Sequence, residues 1–331
     1  MNRQLAITLL ALALCGAWGP AHATESALHN DMDGDGRSDL IWRNASTGAI
    51  VFWSRASATS PGTVRVDRLS YNTPQSFDLR RMSVVLTYSD AFFYPTRSVL
   101  LVRDPLTGWD FDLFPYQANT NYVAYMSVGN ADWKAAGAGD FDGNGTSDLL
   151  YRNQRDGHNF LVADAAWADW AGIYPVATVA NLAWRVAGVG DFDGDTRSDI
   201  LWRNSSTGQN AIWRSSNATT QLRVATVSNL DWKVVAVGDF NGDRRSDILW
   251  RNSRTGANVI WKSGSSLMSQ AVTGVTNLAW KVVATGDFNG DGKWDLVWRN
   301  SATGANVIWK SANAATPQAL PTVALAWSAV M

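Results

Sequence analysis

One cysteine, one glutamate and three histidines are all that a chain of 331 residues contains of these types. Each scarcity excludes a class of chemistry. Cys15 sits in the N-terminal apolar stretch, so the rest of the chain has no thiol and no disulfide framework. Without Cys, and with only His29 and His158 beyond residue 23, there is no zinc-type ligand set. Glu25 stands alone in the N-terminal tail, no carboxylate pair of differing pKa stands out, and no nucleophile–base motif is visible. Charge of one sign is missing too. Lys+Arg number 28 against 29 Asp+Glu, so there is no basic excess to hold nucleic acid. No apolar run is long enough to cross a bilayer as a helix.

The N-terminus has a positive start at Arg3, an apolar run from Leu5 to Leu14, and the small-x-small site Ala21–His22–Ala23. These are the parts of a secretory signal spanning 1–23. The expectation is an exported chain, secreted or periplasmic, with 24–331 as one domain. Cys15 could instead be a lipid-attachment site, but Leu14 is bulky where that site wants a small residue. An exported protein without disulfides must find its stability elsewhere.

What the chain has in plenty is aspartate at fixed spacing. DMDGDGRSDLIWRN from Asp31 recurs as DFDGNGTSDLLYRN from Asp140 and DFDGDTRSDILWRN from Asp191. DFNGDRRSDILWRN from Asp239 and DFNGDGKWDLVWRN from Asp287 complete the set. Each copy has a glycine seventeen residues after its first Asp: Gly48, Gly157, Gly208, Gly256 and Gly304. Four have a Trp seven residues before it: Trp133, Trp184, Trp232 and Trp280. A degenerate sixth copy, RSVLLVRDPLTG from Arg97 to Gly108, puts Val99 where Asp199 stands and Val102 where Trp202 stands.

Each unit reads as four short strands. In one copy they are WKVVAVGDF, SDILWRN, ANVIWKS and a fourth beginning at AVTGV, with the acidic loop between the first two. Val, Ile and Trp occupy both strand faces, as sheets stacked face to face require. Four strands in 48 residues is the size of one β-propeller blade. The C-terminal VALAWSAVM matches the start of a further unit, while the first acidic loop has almost no strand before it. The expectation is an all-β propeller of six four-stranded blades, closed by the C-terminal strand. Seven would need a blade hidden between Ser54 and Ala135.

Oxygen ligands at positions 1, 3, 5 and 9 of a loop wrap a hard cation, and calcium takes 6–8 oxygens. The candidate ligands are Asp31, Asp33, Asp35 and Asp39; Asp140, Asp142, Asn144 and Asp148; Asp191, Asp193, Asp195 and Asp199; Asp239, Asn241, Asp243 and Asp247; and Asp287, Asn289, Asp291 and Asp295. This is no EF-hand, because position 12 holds Trp or Tyr rather than Glu and the recurring glycine is at position 4. A solvated Asx turn could explain one copy, but not five with one spacing. The expectation is about five Ca²⁺ per chain, with the Val99 copy in doubt.

The motif GDFNGDGKWDLVW and its four relatives resemble bacterial FG-GAP/VCBS-type repeats, also found in integrin α-subunit propellers. The resemblance runs from about Leu28 to Met331. It implies a propeller with calcium between each blade's first and second strands. Propellers of this general sort include sugar-binding lectins, but a fold does not carry a function with it.

The 18 tryptophans recur in phase: Trp42, Trp202, Trp250 and Trp298 in the second strand, and Trp53, Trp213, Trp261 and Trp309 in the third. Either they are platforms for sugar rings, or they fill the wedge between blades with Arg43, Arg203, Arg251 and Arg299 stacked nearby; packing is the favoured reading. Trp167 and Trp170 fall out of phase, where a loop would expose them. The functional expectation is a binding or adhesion module for a glycan or a cell-surface protein. Five divalent ions would more than reverse the small negative charge, which favours an anionic polysaccharide. Two rivals are an exported calcium-dependent hydrolase or lyase of cell-surface polymers, for which Asp110 and Asp112 are candidates, and a scaffold with no small ligand. Oligomeric state is not legible in the sequence.

Overall fold

The computed structural model describes residues 30–56, 61–64, 83–90, 94–103, 110–113, 125–126, 131–163 and 172–330. The strands in chain order are β1 (Leu40–Asn44), β2 (Ile50–Trp53), β3 (Pro61–Val64), β4 (Ser83–Asp90), β5 (Tyr94–Arg103), β6 (Asp110–Leu113) and β7 (Tyr125–Met126). Then follow β8 (Trp133–Gly139), β9 (Asp148–Asn153), β10 (Asn159–Val162), β11 (Ile173–Val176), β12 (Trp184–Gly190), β13 (Asp199–Asn204), β14 (Asn210–Trp213) and β15 (Gln221–Val224). The last two groups are β16 (Trp232–Gly238), β17 (Asp247–Asn252), β18 (Asn258–Trp261), β19 (Ser269–Val272), and β20 (Trp280–Gly286), β21 (Asp295–Asn300), β22 (Asn306–Trp309), β23 (Pro317–Leu320), before β24 (Trp327–Val330).

Five four-stranded antiparallel blades carry the repeat: β8–β11, β12–β15, β16–β19, β20–β23, and a first blade ordered β24-β1-β2-β3. In that first blade the innermost strand comes from the far end of the sequence, with Ile41 opposite Val330 and Asn44 opposite Trp327. The inner strands β8, β12, β16, β20, β24 and β4 touch one another in turn, so the sheets stand around a ring.

The expectation of six blades of this repeat, or seven, needs correction: five are present. The remaining four-stranded sheet, β4–β7, stands in the ring but is built differently. Its β5 runs unbroken for ten residues, through the stretch where the repeat would place its acidic loop. Asp90 lies opposite Tyr94. Val99 stands in place of the ninth-position aspartate, so the carboxylate that closes such a loop in the other blades is missing, and β4 and β5 pair with a register shift there. No seventh sheet occurs among the described residues.

Strands form where Val, Ile and Trp gather; the third strand of a blade is buried at alternate positions, and the second is buried on both faces. The second strand of each later blade, such as β13 and β17, is buried along its whole length. The fourth strand differs from its expected place. It covers Ser269–Val272, and Val275 has already left it. Val275 instead donates its N–H to the Gly256 carbonyl and offers its own carbonyl to Arg251 Nη2 at 2.9 Å. Those two bonds peel the chain off the sheet early.

The tryptophans settle into the wedge between blades. Trp42, Trp202, Trp250 and Trp298 are fully buried. Each lies 4.9–5.3 Å, ring centre to ring centre, from the third-strand Trp of its own blade. Its other neighbour is an arginine of the preceding blade: Arg152 over Trp202, Arg203 over Trp250, Arg251 over Trp298 and Arg299 over Trp42, at 4.8–5.1 Å. Packing, not sugar stacking, is the role of these second-strand rings. Trp167 and Trp170 lie outside the described residues.

Candidate metal centre in the acidic loops

Each acidic loop is a set of backbone N–H groups converging on two carboxylates. The first is position 1. Asp31 Oδ1 accepts from the Gly34 and Asp35 N–H at 2.7 and 3.2 Å, and Oδ2 accepts from Gly36 at 2.8 Å. Asp140, Asp191, Asp239 and Asp287 repeat the pattern. The second is position 9. Asp199 Oδ2 accepts from Phe192 N–H at 3.0 Å and Oδ1 from Ser215 N–H at 2.9 Å. Asp39, Asp247 and Asp295 do the same with Met32 and Arg55, Phe240 and Ser263, and Phe288 and Ser311. Asp148 accepts from Phe141 N–H at 2.9 Å.

Sequence reasoning missed the distant donor of each position-9 pair. It lies two residues past the third-strand Trp, sixteen beyond the aspartate, and is left-handed: φ is 54° at Arg55, 45° at Ser215, 47° at Ser263 and 48° at Ser311. The polar pair after each of those tryptophans (Ser-Arg, Arg-Ser, Lys-Ser, Lys-Ser) was the available signal. Sequence reasoning also passed over position 6, left-handed in all five loops, where Gly36, Gly145 and Gly292 alternate with Thr196 and Arg244.

Burial grades the four ligand positions. Position 9 is buried in every copy and position 1 in four of five, Asp140 being half-buried. Position 3 is half-buried except at exposed Asp142, and position 5 is exposed throughout. Carboxylate oxygens of Asp31, Asp33 and Asp39 lie within 4.8 Å of one another, as do those of Asp140, Asp142 and Asp148, and of Asp191, Asp193 and Asp199. In the other two loops Asn241 and Asn289 supply an amide oxygen at position 3. Positions 5, namely Asp35, Asn144, Asp195, Asp243 and Asp291, stand at the rim and accept the N–H two residues on.

This donor set fits calcium. It is all oxygen, and oxygens on opposite sides of one calcium ion stand up to about 5 Å apart. An oxygen that accepts one N–H still has a lone pair for an ion. Positions 1, 3, 5 and 9 would hold the ion and would exchange its water for carboxylate oxygen. The electrostatics agree. Desolvation pushes Asp39, Asp199, Asp247 and Asp295 up to about 7, and Asp31 up to about 6. Around Asp199, Asp247 and Asp295 the charges that act are those of neighbouring aspartates, which raise them further. Burial also raises Asp140 and Asp191.

The loops are tied to one another. The position-8 residue donates its N–H to the position-1 carbonyl of the preceding blade: Ser198 to Asp140, Ser246 to Asp191, Trp294 to Asp239 and Ser38 to Asp287, at 2.6–2.9 Å. A glycine before Asp140, Asp191, Asp239 and Asp287 permits this approach. A Cβ on Gly190 would stand 2.3 Å from Ser246 Oγ.

Of the enzyme candidates, Asp110 and Asp112 sit on β6 opposite Arg103 and Leu101, two positions apart on one strand. His158 is exposed and pairs with Asp156 at 2.9 Å. His29 lies outside the described residues.

Fold and loops together define a β-propeller built from a repeat with an acidic inter-strand loop. Residues 191–250 and 239–298 match the FG-GAP-like repeat, so the chain carries repeats of the FG-GAP type. No curated protein sequence matches the chain. In fold it is similar to an Agrocybe aegerita lectin described as specifically recognising non-reducing terminal N-acetylglucosamine. That likeness has 12% identity and a TM-score of 0.51, over 86% of this chain and 80% of the lectin. It is also similar to a catalytically inactive virginiamycin B lyase from Staphylococcus aureus with quinupristin, at 11% identity and TM-score 0.48, over 92% and 86% of the two chains. Identities this low speak of the fold alone. Among the described residues no helix is long and apolar enough to cross a membrane.

Proposed function

We propose that this chain is an exported calcium-binding propeller that serves as a binding module for glycans on or around cells. The observation that carries the calcium half is the set of buried position-9 carboxylates on which the acting charges are other carboxylates. An acid buried among acids calls for a cation. Five loops supply five sites. The loops are bonded blade to blade, so an ion in one loop would hold the next in place, which is how a chain without disulfides would be stapled.

The glycan half rests on the ring's surface chemistry and on the fold shared with the Agrocybe aegerita lectin. First-strand Trp133, Trp184, Trp232, Trp280 and Trp327 are all half-exposed. Trp280 and Trp309 line a cavity of about 360 Å³ with Val275, Trp298, Val307 and Pro317. Such aromatic faces suit sugar rings. Exhaustively dialysed protein should take up about five Ca²⁺ by calorimetry, and its capture on a panel of immobilised oligosaccharides should require calcium. A protein that takes up no calcium, or that loads calcium and retains no glycan on the panel, would overturn the corresponding half.

A further inference from the structure

We propose that the junction between the β20–β23 blade and the first blade is an oxyanion-binding site for the carboxylate or sulfate of an acidic polysaccharide. A cavity of about 240 Å³ opens there, lined by Arg37 and Arg55 of the first blade and by Asn289, Lys310 and Gln318 of the neighbour, over Phe288 and Ile308. Three cations and two side-chain amides therefore face one space that has an apolar floor. Arg37, Lys310 and Gln318 can donate to an oxyanion there, while Asn289 already donates its amide N–H to Asp291 at 3.1 Å; guanidinium groups match an oxyanion's geometry best.

The arrangement grows out of the repeat, with local departures. At each described junction the position-7 residue of one blade lies across the position-4 glycine of the blade before it. A Cβ on Gly290 would stand 2.7 Å from Arg37 Nε, and a Cβ on Gly194 2.9 Å from Arg245 Nε. Elsewhere one of the three cations is missing, since Ser215, Ser263 and Ser311 stand where the first blade has Arg55. In the β12–β15 blade Arg214, the counterpart of Lys310, pairs with Asp193 at 3.1 Å. In the β20–β23 blade position 3 is neutral Asn289, so Lys310 has no such partner. At the junction of the β16–β19 and β20–β23 blades Lys293 and Lys262 recur, but Ser311 stands where the first blade has Arg55. Among the described residues three cations meet at one junction only.

Arg55 itself is held by Asp35 through its Nε. Asp35 is a position-5 ligand, so an ion in that loop would share this carboxylate and leave the guanidinium free to face the cavity. On this point the inference rests on the calcium reading, and it makes anion binding rise with calcium.

The test uses the full chain after signal removal. A hexauronate oligosaccharide, a neutral hexasaccharide and inorganic sulfate are titrated in excess calcium and in chelator, with bound calcium counted in parallel. The hexauronate should bind in calcium and more weakly in chelator, and should lose affinity as salt is added. Arg37→Gln combined with Lys310→Gln should weaken it at least tenfold, while Arg37→Lys with Lys310→Arg retains most of it. Arg245→Gln, at another junction, should change nothing, and none of these variants should lower the calcium count. A glutamine double variant that binds hexauronate like wild type, equal binding of the neutral sugar, or binding of inorganic sulfate alone would overturn the site while leaving the calcium reading intact. Absence of bound calcium in wild-type protein would overturn both.

Discussion

At the residue scale, what distinguishes a metal loop from a hydrogen-bonded turn is the second use of each carboxylate. Asp199 already accepts two N–H groups, from Phe192 and from Ser215 sixteen residues on. Asp199→Ala removes both bonds and one ligand. The expected result is one fewer calcium ion per chain by calorimetry and a lower melting temperature. Val99→Ala should leave the calcium count unchanged, because β5 runs through where a loop would be. Arg203 is the other residue with several partners. It donates to the carbonyls of Gly208, Val227 and Trp232 and to Asn210 Oδ1 at 3.0–3.1 Å, and it covers Trp250. Arg203→Ala should cost about 3 kcal/mol in denaturant unfolding, since several buried acceptors lose their donor. Arg203→Lys should recover little of it, because an ammonium cannot reach four acceptors from one plane.

At the element scale the sequence was legible wherever a short stretch of one repeat carries the signal. The acidic spacing located the loop, the Val/Ile/Trp runs located the first three strands, and VALAWSAVM against VSNLDWKVV located β24 on the first blade. Much of what was not legible crosses from one blade to the next. A periodic sequence says that Ser198, Ser246 and Ser38 are equivalent; it does not say that each bonds the aspartate carbonyl of the blade before. The early end of β19 was also not legible, because it depends on Arg251 claiming the Val275 carbonyl across the width of its own blade. Nor was the β4–β7 sheet, where the loss of one loop carboxylate accompanies a longer strand. The inter-blade contact predicts that Gly190→Ala destabilises by about 1–3 kcal/mol, because its new Cβ meets Ser246 Oγ at 2.3 Å. Ser246→Gly in the same chain should return part of that loss; equal melts for the single and double variants would count against the contact.

At the scale of the whole molecule, calcium and protons compete for the same carboxylates. Position-9 aspartates with a folded pKa of about 7 against 3.8 unfolded keep their protons in the fold after the unfolded chain has released them. Their contribution to stability is therefore present at low pH and is lost as pH rises from about 4 to 7. Without calcium the melting temperature should fall between pH 5 and pH 8. The gain on adding calcium should widen over the same range, as binding no longer has to displace protons; a calcium-induced gain that is the same at both pH values would contradict this. Truncation before Leu325 removes β24 and leaves β1 with an unpaired edge, so the cooperative melt should be lost or the chain should aggregate. The pairing of β1 with β24 also sets an order of events. During synthesis the first blade's outer strands emerge early, yet its inner strand follows all the other blades along the chain. Until Trp327–Val330 appear, the chain is an open arc with two raw ends, and no ring can form around its axis. A cell that moves the chain across a membrane while it is being made would therefore handle an unclosed protein throughout, and closure would belong to the far side.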